Sequence, residues 1–261
     1  MNLDIRCPYN YKVNGPGKEV LLPYIHQYIH FETIYGRGLQ KAMYPSDHVS
    51  LVFNFNKTLL DDVACSDMFL VGLHENIHVM QSEEECIDTV IVKFSPIGFS
   101  AFGNVCAINI TGKIVDAKEV FGEVIVSLYQ KMETMRNVQE RQDLLDVFFS
   151  TVLNRSHTIE TCYSELTSTI QNDPNYKIPK TKDISYRHLS RLFKQIVGVN
   201  IQTYRRLVRF ELARQLLIDE KDNSLTDIGY RSGYYDQAHF AKEFKKLSGL
   251  RAKYFAPLCW M

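Results

Sequence analysis

One spacing occurs twice in this chain. An apolar residue is followed four positions later by Phe-Lys, and a glycine comes four residues after the lysine. The first copy is Leu189, Phe193-Lys194 and Gly198; the second is Phe240, Phe244-Lys245 and Gly249. A four-residue apolar step places both side chains on one side of a helix. The glycine that follows suits a left-handed helix end. A tyrosine comes shortly after each glycine, Tyr204 and Tyr254. Between the copies, residues 201–218 contain no Gly or Pro, and Tyr204, Leu207, Val208, Leu212, Leu216 and Leu217 recur as one buried helix face. Such a helix is about 27 Å long.

The second copy has a helix in front of it. Leu225 and Ile228 open that helix, Arg231-Ser232-Gly233-Tyr234-Tyr235 turns the chain, and Asp236 suits an N-cap. Helix, tight turn, helix is the arrangement whose second helix enters a DNA major groove. The second helix is expected over 237–247, with Gln237, His239, Lys242, Lys245 and Lys246 on its outer face. An ordinary amphipathic pair would look similar; the duplication is what separates the two readings.

On these residues the region from Lys177 to Phe255 resembles the DNA-binding domain of the AraC/XylS family of transcription regulators. The second motif is carried by Ile228-Gly229, Gly233-Tyr234, Phe240, Phe244-Lys245, Gly249 and Tyr254, and the linker motif by Tyr204, Arg209 and Ala213-Arg214-Gln215-Leu216-Leu217. The resemblance implies two helix-turn-helix units joined by one long helix, reading successive major-groove segments. It puts base reading on Arg187, Ser190 and Arg191 in the first unit, and on Gln237, Ala238, Ala241 and Lys242 in the second. Arg suits guanine and Gln suits adenine, while alanine offers only apolar contact to a thymine methyl. Lys194 and Lys245 suit phosphates. The implied partner is double-stranded DNA; a small-molecule effector, a homodimer mate and RNA polymerase are the further candidates, with no cofactor. Ile178-Pro179 and Asp183 stand where the family carries Leu-Ala and a turn glycine. Proline cannot sit inside a helix, so that first helix must begin near Pro179 and be short.

A net charge of zero argues against nucleic acid only until it is divided. From Gln171 onward there are 17 Lys and Arg against 9 Asp and Glu; before it there are 13 against 21. An acidic module is joined to a basic one. No apolar run is long enough for a bilayer, the first ten residues lack a signal-peptide core, and six scattered cysteines form no CxxC pair. A cytoplasmic thiol protein is the expectation.

The first half reads as strands. Val49, Leu51, Phe53 and Phe55 alternate, as do Val90, Val92 and Phe94, and Tyr24 to Phe31 is rich in β-branched and aromatic residues. Turn clusters separate these runs, which favours a sandwich or barrel. Leu22-Pro23-Tyr24-Ile25, Pro45-Ser46-Asp47 and Val92-Lys93-Phe94-Ser95-Pro96 resemble the sensory domain of one AraC-like subgroup, which implies a cupin-like β-barrel. The expected class is α+β: a β-rich part over 1–112, helices over 113–171, then an all-α DNA-binding domain over 172–261.

From Asp116 the period becomes helical. Asp116 with Glu119 forms a capping box, and Val120, Phe121, Val124, Leu128 and Met132 mark one buried stripe. A second helix is expected over 139–153 and a third over 159–170. Phe149 follows the stripe residue Phe148 and points about 100° away from it. It therefore either faces a second copy of the chain or packs on the sheet.

His74-Glu75-Asn76-Ile77-His78 is a literal HExxH. On a helix this holds zinc with Glu as base. Val71, Leu73, Ile77 and Val79 instead continue a strand alternation, which turns Glu75 away from the two histidines. His26 and His30 share a strand face and with His48 and His74 could line a metal-binding barrel; the alternative is surface or hydrogen-bonded histidines. The rival to a DNA-binding regulator is thus a metal-dependent cupin or HExxH hydrolase with a DNA-binding tail. The favoured reading is a non-enzyme with no catalytic or metal residues.

Overall fold

Alternating apolar residues form strands where expected. In this computed structural model, residues 10–34, 39–82, 86–102, 105–153, 161–178, 185–219 and 224–255 are described. The strands are β1 (Asn10–Asn14), β2 (Ile25–Ile34), β3 (Leu39–Met43), β4 (Ser50–Asn54), β5 (Thr58–Leu60), β6 (Val63–Ala64), β7 (Met68–Val71), β8 (His78–Ser82), β9 (Cys86–Phe94) and β10 (Ile114–Asp116). They make two antiparallel sheets, a six-stranded one in the order β1-β2-β9-β4-β7-β10 and a four-stranded one in the order β3-β8-β5-β6.

Among the described residues neither sheet closes on itself, so the expected barrel is corrected to an open two-sheet domain. The reason lies in β4. Leu51 and Phe53 are buried on one face, and Val52 is equally buried on the other with Phe69, Val71 and the partly buried Met43 of β3. The face expected to line a barrel is instead covered by helices, and the main core lies between them and the six-stranded sheet.

Those helices are α1 (Ala107–Ile110), α2 (Ala117–Phe121), α3 (Glu123–Thr134), α4 (Val138–Val152) and α5 (Thr161–Asn172). Asp116 caps α2 by accepting from the Lys118 amide. Gly122, at φ +69°, then ends α2 and starts α3. The single helix expected from Asp116 is therefore two, and the buried stripe of α3 moves to Ile125, Leu128 and Met132, leaving Val124 53% exposed. Phe149 is fully buried on α4, with its ring centroid 5.7 Å from that of Phe94 and 5.0 Å from that of Phe102. It packs on the sheet and is not a surface for a second copy.

The C-terminal helices are α6 (Tyr186–Val197), α7 (Ile201–Asp219), α8 (Leu225–Arg231) and α9 (Gln237–Ser248). Their caps are the expected kind. Ser185, Ser224 and Asp236 each accept a hydrogen bond from the third residue onward, and Gly198 and Gly249 end α6 and α9 in the left-handed conformation. The helix expected ahead of α6, with Pro179 and Asp183, lies outside the described residues. No helix among the described residues is long and apolar enough to cross a membrane.

The two units sit in different cores. Phe193 and Val197 of α6 and the first half of α7, through Val208, join the core of the N-terminal half. Phe210, Ala213 and Leu217, with α8 and α9, form a second cluster around Phe240 and Phe244, and Tyr44 of the N-terminal half packs on it with its ring 5.2 Å from that of Phe255.

Candidate nucleic-acid interface

Packing decides which face of each recognition helix remains open. In α6, Phe193 and Val197 are buried and the Phe193 ring meets Tyr204 at 5.6 Å. The opposite face leaves Arg187, Arg191 and Lys194 exposed and Ser190 half-buried. Arg191 Nη2 lies 3.4 Å from His188 Nδ1, one turn away. In α9, Phe240, Phe244 and Leu247 are buried, and Gln237, Ala238, Ala241, Lys242 and Lys245 are exposed. Eight of the nine sequence-predicted residues thus fall on the outer faces of the two helices, whereas the Ser190 hydroxyl oxygen is buried.

The second unit is held tightly. Asp236 Oδ1 accepts from the His239 amide at 2.7 Å and fixes the start of α9. A Cβ on Gly229 would sit 3.2 Å from Phe240 Cβ, so α8 approaches α9 as closely as glycine permits. Gly233 turns the chain at φ +83°. Its carbonyl accepts from Asn175 Nδ2 at 3.0 Å, and Asn175 Oδ1 accepts from Arg209 Nη1 at 3.3 Å. Burial pushes the Arg209 guanidinium below its ordinary pKa, and its charge lies 5.8 Å from the Tyr234 ring centre.

Outside α9 runs a groove of about 460 Å³. Gln237, Ala241, Lys242, Lys245, Arg251 and Lys253 line it together with Leu225, Phe240 and Ala252. Arg251 and Lys253 were missed in the sequence. Their charge is visible there, but their place beside α9 depends on the chain reversing at Gly249 (φ +70°). The tyrosine match also shifts by one: Tyr254 is 54% exposed, and Phe255, buried against Phe244 at 5.3 Å, is the structural counterpart of Tyr204. Both Tyr204 and Phe255 stand six residues after their glycine.

The first unit differs in its surroundings. Ser100 Oγ donates to the Ile196 carbonyl at 3.1 Å, and Thr111 Oγ1 donates to the Gly198 carbonyl at 2.9 Å. A Cβ on Gly198 would lie 2.5 Å from Thr111 Oγ1. The C-terminal end of α6 is therefore bonded to the N-terminal half. Lys194 lines a cleft of about 280 Å³ there with His74, Glu75, Asn200 and Thr203.

The histidine motif is not one continuous strand: only its last residue, His78, is in a strand, at the start of β8. Gly72 leaves β7 with its backbone so close to Ile110 that a Cβ would stand 1.9 Å from the Ile110 carbonyl oxygen, and 74–77 form a bend before β8. His74 Nδ1 contacts the Asn76 carbonyl at 2.6 Å, and His78 Nδ1 contacts Asp61 Oδ2 at 2.7 Å. Glu75 faces Arg206 of α7. The His26 and His48 rings lie 4.9 Å apart, tilted by 32°. His30 is neither a surface nor a hydrogen-bonded histidine: it is 4% exposed, and neither ring nitrogen has a partner among the described residues. Among the described residues no three of His, Cys, Asp or Glu converge to hold a metal ion.

Two families match the chain: a helix-turn-helix domain over residues 181–255, and a domain of unknown function over 16–116. The transcriptional activator RhaS of Citrobacter koseri is 41% identical over 63 residues, 24% of this chain and 22% of that protein. The transcriptional regulator GlxA of Rhizobium meliloti is 40% identical over 65 residues, 24% of this chain and 19% of that protein. The chain therefore spans about a fifth of the length of the curated relatives it matches. The solved structure of ToxT from Vibrio cholerae aligns over 95% of this chain and 98% of its own, at a TM-score of 0.51 and 10% identity, which is a likeness of fold. Residues 181–255 therefore carry a helix-turn-helix domain similar to that of the transcription regulators RhaS and GlxA, set on an open-sheet N-terminal half with the fold of ToxT.

Proposed function

We propose that this chain is a sequence-specific DNA-binding transcription regulator whose two helix-turn-helix units read successive major-groove segments. The observation that carries the reading is the groove along α9, where Gln237, Ala241, Lys242, Lys245, Arg251 and Lys253 face one concave surface. Polar readers and cations in one surface are what a duplex needs: base edges for Gln and Lys, phosphates for the flanking charges. Arg187, Ser190 and Arg191 are the readers of the first unit, and Gln237, Ala238, Ala241 and Lys242 those of the second. Lys194 and Lys245 take phosphates. The α7 helix has 19 residues, or about 28 Å of rise. That is close to the ~34 Å between successive major grooves on one face of DNA.

The division of labour follows the charge. Residues 1–171 are the sensory and association part, and 172–261 the DNA-binding part. The first takes a small-molecule effector or a second copy of the chain, and the bound complex meets RNA polymerase. The protein needs no cofactor and works in the cytoplasm.

Genome-wide mapping of bound DNA, followed by titration of the purified chain on the recovered site, tests this. The expected result is one motif with two separately mutable segments about one helical turn apart. Equal affinity for every sequence would remove the reading.

A further inference from the structure

The HExxH segment forms no metal-ligand cluster among the described residues, yet it meets the long helix of the C-terminal half. Its Glu75 reaches α7, where Arg206 Nη1 donates to Glu75 Oε2 at 3.2 Å and Oε1 at 3.3 Å. The same guanidinium donates from Nε to Glu243 Oε2 at 2.8 Å. Glu243 lies on α9, between the base-reading Lys242 and the buried Phe244. One arginine thus joins a loop of the N-terminal half to the recognition helix of the second unit. A second contact runs in parallel: a Cβ on Gly249, at the end of α9, would lie 3.0 Å from Ile77 Cδ1 of the same loop.

The three charges are only partly exposed, with side chains at 25% for Arg206, 36% for Glu75 and 18% for Glu243. The planar fork of arginine holds two carboxylates in fixed directions, which a lysine cannot do. Other cations of α7 are tied elsewhere: Arg209 to Asn175, and Arg214 to Glu211. Arg206 alone of these reaches both the N-terminal half and α9.

We infer that Arg206 is a positioning residue that sets the α9 helix against DNA, and that Glu75 is the handle by which the N-terminal half adjusts it. Whatever moves the 74–77 loop redirects one fork of Arg206 and, through the other, the helix carrying Gln237, Ala241 and Lys242. The first unit is bonded to the N-terminal half through Ser100 and Thr111; its Lys194 borders the cleft beside Glu75, but the unit takes no part in the Arg206 fork. The inference rests on the regulator reading above.

The test is a base-by-base binding profile of the full chain on its operator, for wild type, Glu75→Gln, Arg206→Met and Arg206→Lys. Lys242→Ala first locates the segment that the second unit reads. Glu75→Gln should lower discrimination in that segment about threefold, the scale of a partly exposed ion pair. Arg206→Met should lower it about tenfold, and Arg206→Lys, which can satisfy one carboxylate, should fall between. Preferences in the segment read by α6 should stay unchanged. If Arg206→Met fails to fold, Glu75→Gln decides alone, since it keeps shape and exposure. A wild-type chain without base preference overturns the regulator reading and the inference with it. A preference that these variants leave unchanged, or lower equally in both segments, overturns the inference alone.

Discussion

Arg141 and Asp88 form a two-pronged ion pair, with Nη1 to Oδ1 at 2.6 Å and Nη2 to Oδ2 at 2.7 Å, that fastens α4 to the end of β9. The arginine is 4% exposed, its charge lies 4.2 Å from the centre of the Phe55 ring, and its Nε donates to the Met132 carbonyl. Removing Arg141 leaves the largely buried Asp88 carboxylate with only the exposed Arg136, at 3.8 Å, as a cation. Arg141→Met is expected to cost about 3–5 kcal/mol. Urea titration of the variant checks this. Asp88→Leu added to it should return part of the loss, because an apolar pair leaves no charge behind.

His30 makes folding stability depend on pH. Burial first, and the Arg141 charge second, lower its pKa to about 4. The unfolded chain binds a proton near pH 6.5, and the folded chain does so only near 4. The neutral ring therefore contributes its full share of stability above 6.5, and that share is lost as pH falls through the window to 4. Integrated over the window the loss is about 3 kcal/mol. His30→Leu should flatten that limb of the stability curve; an unchanged limb would exonerate His30.

Local signals were legible where one residue decides the outcome. Ser185, Asp236, Gly198 and Gly249 cap their helices as their types require, and the apolar steps in α6 and α9 fall on the buried sides. What escaped depends on distant backbone. The alternation across His74 looked like a strand, but Gly72 packs on Ile110, 38 residues away, and the chain bends. The β4 pattern promised one buried face, and a second sheet covers the other. Glu75 and Arg206 stand 131 residues apart, and no spacing rule pairs them. Tyr254 pairs with Tyr204 only by residue type; the buried counterpart of Tyr204 is Phe255, one position on.

Phe149 belongs to a ring cluster with Phe94, Phe102, Phe121 and Phe148. Phe149→Ala should destabilise the N-terminal half by about 3–5 kcal/mol, through lost transfer energy and the cavity left behind. Phe149→Glu should unfold it, since a carboxylate there has no solvent. Differential scanning fluorimetry reads both. A folded, monomeric Phe149→Glu protein would restore the interface reading.

The sharpest prediction concerns the groove along α9. Lys242 lies on the reading face and Lys245 one turn nearer the helix end, beside Arg251. A lysine that meets a base edge discriminates between sequences; one that meets a phosphate does not. Lys242→Ala should weaken the operator by about 1–3 kcal/mol, relax one base position and spare nonspecific DNA. Lys245→Ala should weaken operator and nonspecific DNA alike, and reduce the magnitude of the salt slope by about 0.9, one phosphate's worth of released counterion. Fluorescence anisotropy at several salt concentrations, on operator and on scrambled duplex, separates the two effects. If Lys245→Ala changes base preference while Lys242→Ala only shifts the salt slope, the two lysines have exchanged roles, and α9 lies in the groove with its C-terminal turn toward the bases.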